Sequence, residues 1–447
     1  MANSMTDQSD QKFASGWPID WLRQTSPYIN THRGKTFVIW FSGDMLESAE
    51  FTSLIHDLTL LSHLGVKLVL AHGMRTQIEA ELTQRGIAPQ FGTDSNSTQS
   101  VRITSSESLP VITAVSGDMR SRLESSFSTG LPDSPMSGAQ ITVTSGNFIV
   151  AKPYGIRDGI DYQHTGEIRK LRVQKIRSLL NAEMVVLLTP VGYSPTGEML
   201  NLLSEDVAMQ AAIALGADKL IYLHSDAASI SKNLRELSAT DQRDPAGLVA
   251  DNSESIRGVI ERSKSACQQG VGRCHIVDAN KNDALLQELF TRDGSGLLID
   301  RGDYDSIRPA DTNSVNGIMA LIKPLMADGT LTHRTEQDLE REIHNFYIIE
   351  REGSVICSAS LQIYGDIAEL GCLAVHPDFR ASGKASDMLN HLVKVAKHKH
   401  CKKMFGLSTR TGDWFIEQGF TEDSAESLPV SRQVEKNRGS KLYTLNL

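Results

Sequence analysis

Short apolar runs alternate with amphipathic stretches over the first two thirds of the chain. The apolar runs lie at 36–41, 66–71, 184–189, 219–223 and 274–277. Stretches with apolar residues at helical spacing lie at 50–64, 74–84 and 205–215. Short apolar runs predict buried strands, and their alternation with helices is typical of βαβ units in a parallel sheet. The pattern therefore predicts one large α/β domain that extends to about Ile299.

Two weakly patterned segments of this region predict irregular structure. Residues 123–140 are rich in Ser, Gly and Pro, which favours a surface loop. The residues from Met1 to Pro18 are polar and acidic, and they lack the basic and apolar segments of a signal peptide. We therefore expect a mobile leader at 1–20, followed by the α/β domain at 21–300.

The pattern of apolar and polar residues changes after Arg301. Two helical patterns are followed by three consecutive strand patterns, at 311–325, 335–344, 345–350, 355–363 and 368–375. The chain continues with a helix, a strand, a helix and a strand, at 385–400, 404–409, 412–418 and 441–447. Consecutive strands predict hairpins, so we expect a second, mixed-sheet α+β domain at 305–447.

Composition narrows the possible functions. The 447 residues include 45 Lys and Arg against 54 Asp and Glu, a net charge of −9 that repels nucleic-acid backbones. No apolar run reaches the roughly 18 residues of a membrane span, so we expect neither nucleic acid nor membrane as a partner. Five cysteines without a C-x-x-C pair favour a reduced, cytoplasmic compartment. His398, His400 and Cys401 lack a second ligand pair with zinc spacing, so we expect no metal.

The most informative motif lies between the third strand and the long helix of the second domain. The strand 369–375 enters a Pro-containing turn, and Arg380-x-x-Gly383-x-Ala385 then opens the helix. Small residues at a helix N-terminus let backbone N–H groups surround a pyrophosphate, although such a turn can also be purely structural. The segment resembles the acetyl-CoA motif of the GCN5-related N-acetyltransferase superfamily. The resemblance implies that acetyl-CoA is bound by Leu373, Ala374, Val375, Arg380, Ala381, Ser382, Gly383, Lys384 and Ala385.

The same resemblance implies two catalytic residues. In that superfamily the strand before the loop and the next strand splay apart around the acetyl thioester, whose oxygen is stabilised by a backbone N–H. Glu369 and Ser408 fall on these two strands, as the base for the incoming amine and the acid for the departing thiolate. The alternative is that Glu369 is a surface charge on its strand and Ser408 a strand-end cap.

A closer resemblance covers the whole second domain. The motifs Gly329-Thr-Leu-Thr-His-Arg334, Gly371-Cys-Leu-Ala-Val-His-Pro377 and Trp414-Phe-Ile-Glu-Gln-Gly-Phe420 are similar to those of the bacterial N-acetylglutamate synthases. The resemblance implies transfer of the acetyl group of acetyl-CoA to L-glutamate, the first step of arginine biosynthesis. It also implies that Arg334, Arg438 and Ser440 bind the substrate carboxylates, a task that suits the guanidinium fork. Arg341 and Arg410 are competing candidates, of which at least one should be a surface charge.

The first domain resembles the amino-acid kinases, but without their phosphate-binding residues. The resemblance rests on Phe37-Val-Ile-Trp-Phe-Ser-Gly43, Val69-Leu-Ala-His-Gly-Met-Arg75 and Gly192-Tyr-Ser-Pro-Thr-Gly-Glu198. The first strand lacks the kinase Lys, and Met74 and Arg75 crowd a loop that must approach phosphates closely. In the synthases this domain binds arginine as a feedback inhibitor. By position, the inhibitor contacts would be Tyr28, Asp293, Gly294 and Gly296, and Tyr28 could equally be a packing residue.

Two other functions remain open from the sequence. A bifunctional synthase and kinase is disfavoured by the missing Lys of the first strand. A non-catalytic arginine sensor is disfavoured because Glu369, Ser408, Arg334 and the Arg380-x-x-Gly383-x-Ala385 loop are all present. The resemblance further implies a homo-oligomer, with a hexamer as one form.

Overall fold

The computed structural model resolves the chain into two compact units, Met1–Gly302 and Asp303–Leu447. The residues that it describes are 17–93, 100–130, 134–230, 234–241, 245–249, 253–291, 294–301, 307–351, 354–380, 383–424, 428–429, 432 and 439–447.

The described part of the first unit is an α/β fold. Its helices are α1 (Trp17–His32), α2 (Phe51–His63), α3 (Arg75–Gln84), α4 (Leu109–Phe127), α5 (Val173–Asn181), α6 (Ser204–Leu215), α7 (Glu254–Gln268) and α8 (Ala284–Phe290). Its strands are β1 (Thr36–Phe41), β2 (Lys67–His72), β3 (Gln90–Gly92), β4 (Val101–Ile103), β5 (Val143–Ser145), β6 (Ile149–Pro153), β7 (Ile156–Arg157), β8 (Ile160–Asp161), β9 (Gly166–Leu171), β10 (Val185–Leu188), β11 (Val191–Tyr193), β12 (Met199–Asn201), β13 (Lys219–His224), β14 (Glu236–Ser238), β15 (Arg273–Asp278) and β16 (Leu297–Asp300).

The predicted parallel sheet forms the centre of this unit. The strand order is β14-β16-β15-β13-β1-β2-β10-β5, and β15 with β16 is an antiparallel pair in an otherwise parallel sheet. Residues Phe37 to Phe41 of β1 are at most 3% exposed, because helices cover both faces of the sheet. A second sheet, with the order β12-β11-β6-β9, was not predicted.

Two predicted boundaries of this unit were wrong. Helix α4 continues to Phe127, so the expected loop at 123–140 begins too early. Leu123 and Phe127 are 0% and 1% exposed, and this burial outweighs the weak helix propensity of the Ser residues around them. Helix α1 begins at Trp17, so the last part of the expected leader at 1–20 is helical. Residues 1–16 lie outside the described residues.

The second unit has the predicted mixed sheet. Its strands are β17 (Ile307–Pro309), β18 (Phe346–Arg351), β19 (Ser354–Tyr364), β20 (Ile367–Val375), β21 (Lys403–Ser408), β22 (Thr421–Asp423) and β23 (Lys441–Asn446). Its helices, within the described part, are α9 (Val315–Ala327), α10 (Glu336–Glu342), α11 (Lys384–His398) and α12 (Gly412–Glu417). The strand order is β17-β18-β19-β20-β21-β23-β22, and β20 with β21 is a parallel pair between antiparallel ones. Met388, Leu389, Leu392 and Ala396 form the buried face of α11.

Candidate active site

Strands β20 and β21 open a gap in the sheet of the second unit. Their parallel pairing runs from Ile367 with Lys403 to Leu370 with Gly406. Beyond that point β20 continues along β19, and β21 continues along β23. The two strands therefore diverge, as the resemblance to the acetyltransferase superfamily implies.

A β-bulge lies where β20 leaves its neighbour. Gly371 pairs with Ser360 and Ala374 with Ser358, so two residues of β20 face the single residue Ala359. The first of the two, Cys372, has φ 45°, a left-handed conformation that is uncommon outside glycine. A bulge interrupts the hydrogen-bond ladder and leaves an amide group unpaired beside the gap. Such strain is characteristic of sites where the backbone itself contacts a ligand.

Glu369 lies at the base of the gap and is held by two partners. It faces Phe405 across the last paired stretch, and its side chain is 12% exposed. Arg432 donates to both carboxylate oxygens, from Nε at 2.8 Å and from Nη2 at 2.9 Å. The Tyr364 hydroxyl donates to Oε2 at 3.2 Å. Burial, and then the adjacent Glu369 carboxylate, raise the pKa of Tyr364, which keeps this hydroxyl protonated as a donor.

Arg334 belongs to the same cluster. It precedes α10, pairs with Glu342 and is 25% exposed, while its buried Nε has no partner among the described residues. Burial opposes the charge of Arg334, but the neighbouring Cys372 thiol and Glu342 carboxylate raise its pKa overall, with a further contribution from Glu369. The structure therefore brings the predicted base and one predicted carboxylate-binding arginine together.

Ser408 ends β21 in a tight turn. Its Oγ accepts the N–H groups of Thr411 at 2.8 Å and Arg410 at 3.3 Å, and lies 2.7 Å from Thr411 Oγ1. Ser408 is therefore a strand-end cap, and the two N–H donors also fix the direction of its hydroxyl. Ser408 pairs with Lys441, which follows the predicted substrate residue Ser440. Arg438 lies outside the described residues.

The predicted coenzyme loop leads into α11. Gly383 is the N-cap with φ 77°, and a Cβ there would meet no atom within 4 Å, so the space beside this residue is open. Lys384 is 13% exposed and pairs with Asp387 at 3.7 Å, while Arg380 is exposed. The first N–H groups of a helix have no partner within the helix and favour an anion. Ala381 and Ser382 lie outside the described residues.

The comparisons with known proteins cover both units. Residues 35–278 match the Amino acid kinase family, and residues 319–413 match the Acetyltransferase (GNAT) family. The chain is 42% identical over 432 residues to an amino-acid acetyltransferase of Ectopseudomonas mendocina (strain ymp), covering 95% of this chain and 98% of that protein. The chain belongs to the amino-acid acetyltransferase family.

Solved structures agree with this family. The acetyltransferase is 32% identical to N-acetylglutamate synthase from Neisseria gonorrhoeae complexed with coenzyme A and L-arginine, with a TM-score of 0.81 over 96% of this chain and 99% of that one. A second structure of that protein, complexed with coenzyme A and N-acetyl-glutamate, has 33% identity and a TM-score of 0.60 over the same shares. The fold and the acyltransferase activity expected from the sequence are thus confirmed.

The kinase-like unit of the acetyltransferase has an obstructed phosphate loop. Gln77 Nε2 donates to the Gly43 carbonyl at 2.8 Å, and a Cβ at Gly43 would overlap the Gln77 side chain. Arg75 lies over the Phe91 ring at 4.6 Å and pairs with Glu79 at 3.0 Å. The Gln77 side chain thus crowds the Gly43 backbone, which weakens the contacts that backbone N–H groups of this loop would make with phosphates.

A buried charge cluster lies beside the predicted arginine residues. Glu288 of α8 pairs with His275 Nδ1 at 2.6 Å and accepts the N–H groups of Ser295 and Gly296 at 2.6 and 2.7 Å. Burial opposes the Glu288 charge, but these partners lower its pKa to about 2. Lys219 Nζ lies 3.4 Å from His275 Nε2. No local sequence pattern indicates this cluster, because its members lie on separate elements.

Helix α1 reaches the same region. His32 Nε2 lies 2.8 Å from the Leu289 carbonyl oxygen, and its ring packs on Phe37 and Phe290. Tyr28 is half-buried and packs against the hydrophobic core. Gly294 has φ 59°, and a Cβ there would lie 2.6 Å from Glu288 Oε2, so a side chain at this position would displace the Glu288 carboxylate. Asp293 lies outside the described residues.

The competing arginines of the acetyltransferase are solvated. Arg341 is 76% exposed and lies 3.9 Å from Asp338, and Arg410 is 62% exposed and contacts Asp328. Within the described part of the chain, no group of His, Cys, Asp or Glu is arranged to hold a metal ion. None of the described helices is both long and apolar enough to cross a membrane.

Proposed function

We propose that the protein transfers the acetyl group of acetyl-CoA to the α-amine of L-glutamate, giving N-acetyl-L-glutamate and free coenzyme A in the first step of arginine biosynthesis. The observation that carries the proposal is the Glu369 carboxylate at the base of the gap between β20 and β21, with Arg334 in the same cluster. A base and a carboxylate-binding group are what an acidic amino acid requires. The gonococcal synthase, whose solved structures contain coenzyme A and, in one of them, N-acetyl-glutamate, supports this choice.

The chemistry follows from the residues around the gap. Glu369 takes a proton from the α-ammonium, and the free amine attacks the thioester carbon. The bulged backbone of β20 stabilises the oxyanion, which collapses as the carbon–sulfur bond breaks. Ser408 donates a proton to the departing thiolate and recovers one from solvent, while the nitrogen releases its second proton to solvent as the amide forms. Arg334 binds a substrate carboxylate through donors that its pair with Glu342 leaves free, and Arg438 and Ser440 bind the other.

Arg432 is a positioning residue that the sequence did not reveal. Its two hydrogen bonds fix the Glu369 carboxylate in one plane, so that an oxygen is held ready for the proton. The sequence around Arg432 has no periodic pattern, and no motif identifies the residue. Only the folded chain brings residues 369 and 432 together.

The deciding experiment compares Glu369→Gln with Arg432→Met. Both remove the same ion pair, but only the first removes the carboxylate. We expect Glu369→Gln to lower turnover at saturating glutamate by on the order of 10²–10⁴, with the KM for acetyl-CoA little changed. Arg432→Met should lose much less turnover, because the base is still present. The assay measures thiol release with a panel of amino acids.

A matched control separates chemistry from stability. Glu422 of β22 is a half-exposed carboxylate of the same sheet that pairs with Lys441, so Glu422→Gln tests the loss of a strand ion pair. We expect its turnover and melting temperature to be near normal. Equal losses in Glu369→Gln and Arg432→Met, in proportion to lowered melting temperatures, would refute a general base at Glu369.

We further propose that L-arginine inhibits the enzyme from the first unit. The supporting residues are Glu288, His275 and Gly294 near the expected Tyr28, since buried carboxylates suit a guanidinium group. The gonococcal synthase structure with L-arginine supports the same ligand. Glu288→Gln should weaken inhibition, and undiminished inhibition in a folded variant would place the inhibitor elsewhere.

We also propose a cytoplasmic homo-oligomer, with a hexamer as one form. All five cysteines are free thiols, which is consistent with a reducing compartment. Light scattering coupled to size-exclusion chromatography would measure the mass, and a monomeric mass at working concentration would contradict the assembly.

A further inference from the structure

A cavity of about 390 Å³ lies in the first unit, whereas the acetyl-transfer residues belong to the second. Its wall includes the residues that follow β1 and β2 and the end of β13, such as Asp44, Arg75 and His224. The carboxyl edge of a parallel sheet is a common location for ligand sites, and this volume is within the range of small-molecule pockets. We call it the sheet-edge cavity.

One wall of the sheet-edge cavity is cationic. Arg102 and Arg75 both lie over the Phe91 ring at 4.6 Å, and both pair with Glu79. The Arg102 side chain is only 9% exposed, and its Nη1 has no hydrogen-bond partner among the described residues. A buried guanidinium donor without a partner is costly, and an anionic group of a ligand would satisfy it.

Another part of the wall is anionic. Asp44, Glu205 and Asp226 surround the buried His224 closely enough to oppose the lowering of its pKa by burial. None of the three carboxylates forms an ion pair with a Lys or Arg side chain in the part of the chain that the structure describes. Trp40, stacked on His224 and 3% exposed, has an indole N–H without a partner in that same part.

These charges specify the ligand. Arg75 and Arg102 share Glu79, which leaves one positive charge, whereas Asp44, Glu205, Asp226 and Glu254 contribute four negative ones. Of these, Glu205 also interacts with the nearby Arg262. A molecule that fills both regions must carry an anionic group for Arg102 and more than one cationic charge. An α-amino acid with a basic side chain meets this requirement, and a neutral zwitterion does not.

We propose that the sheet-edge cavity binds an amino acid with a basic side chain, with its carboxylate on Arg102 and its cationic groups beside Glu205 and Asp226. The inference does not depend on the acetyl-transfer reaction, because the cavity lies in the other unit. It also differs from the inhibitor position proposed at Glu288, which does not line this cavity.

Calorimetric titration of the full chain with L-lysine tests the proposal. We expect binding of L-lysine and L-ornithine, and at least about tenfold weaker binding of cadaverine, which lacks the carboxylate, and of L-norleucine, which lacks the side-chain amine. No heat with L-lysine, or equal affinity for cadaverine or L-norleucine, would overturn it.

Variants locate the site. Arg102→Met and Asp226→Asn should each weaken L-lysine binding by about tenfold or more. Glu79 keeps its pair with Arg75 in the first variant, so the fold should tolerate the change. Arg85→Met is the matched control, because Arg85 pairs with Glu81 on the surface beside α3. If Arg102→Met does not fold, Asp226→Asn decides alone.

Glu288→Gln separates the two proposed sites. It should leave L-lysine binding unchanged. Binding that is retained in Asp226→Asn, or lost in Glu288→Gln while the variant remains folded, would overturn the assignment to the sheet-edge cavity.

Discussion

Asp57 gives the first unit a stability that depends on pH. It lies on α2, is 7% exposed, and shares a small cavity with Asp278 and Asp283. Burial, followed by repulsion from Asp283, raises the pKa of Asp57 from 3.8 to about 7. The folded chain therefore holds this proton more tightly than the unfolded chain, and the variant Asp57→Asn mimics the protonated form.

The sign and size of the effect follow from this difference. Below pH 3.8 the carboxyl is neutral in both states, and its contribution to stability is fully present. As the pH rises towards 7, the unfolded chain loses the proton first, so the free energy of unfolding falls. The difference between 3.8 and about 7 corresponds to about 4 kcal/mol at most. Asp57→Asn should remove this decrease.

Urea or thermal unfolding of wild type and Asp57→Asn, from pH 4 to pH 8.5, measures the effect. We expect similar stabilities near pH 4 and a more stable variant above pH 7, by up to about 4 kcal/mol in the transition of the first unit. Asp118→Asn, at an exposed position of α4, is the matched control and should show no such dependence. A constant difference between wild type and Asp57→Asn at every pH would refute the reasoning.

Three further predictions concern ligands. Arg380→Ala and Gly383→Trp should each raise the KM for acetyl-CoA well before that for glutamate, because they alter the loop before α11; initial rates with either substrate varied measure this. No ATP-dependent phosphorylation of N-acetylglutamate should be detected by phosphate transfer, because β1 lacks the kinase Lys and Gln77 lies against Gly43. Tyr28→Cys should weaken arginine inhibition at near-normal uninhibited turnover, where coupling of about 1–3 kcal/mol allows roughly a 5–150-fold effect.

Each of these has an outcome that contradicts it. Equal changes in the KM values for acetyl-CoA and glutamate would show that the loop before α11 does not bind coenzyme A specifically. Measurable kinase turnover would show that the obstructed loop still holds a nucleotide phosphate. Unchanged arginine inhibition in Tyr28→Cys would show that Tyr28 of α1 does not contribute to the inhibitor site.

The sequence best predicts strands whose side chains are buried on both faces of the sheet. Phe37 to Phe41 form an uninterrupted apolar run, and the structure makes it β1 with the predicted bounds of 36–41. The prediction for the end of α4 was wrong because the Ser residues of this segment weaken the helical pattern in the sequence. In the structure Ser126 and Ser128 donate their hydroxyls to the carbonyls of Arg122 and Glu124, which makes them compatible with the helix.

The candidate active site likewise contains some residues that the sequence reveals and others that only the structure reveals. Glu369 and Gly383 lie in local motifs, which a sequence can present by itself. Arg432 and the bulge at Cys372 arise from pairing between distant segments, so no local pattern reveals them. The cluster of Glu288, His275 and Lys219 is hidden for the same reason.

The burial of every cysteine turns the thiols into reporters of local opening. Cys267 and Cys274 belong to the first unit, and the other three belong to the second, with none more than 9% exposed. Burial also raises the pKa of the Cys274, Cys372 and Cys401 thiols, so the folded chain presents little reactive thiolate. A thiol-reactive dye therefore labels each unit only when that unit opens. The stoichiometry of labelling, two thiols or three, would tell which unit opens first under heat or denaturant.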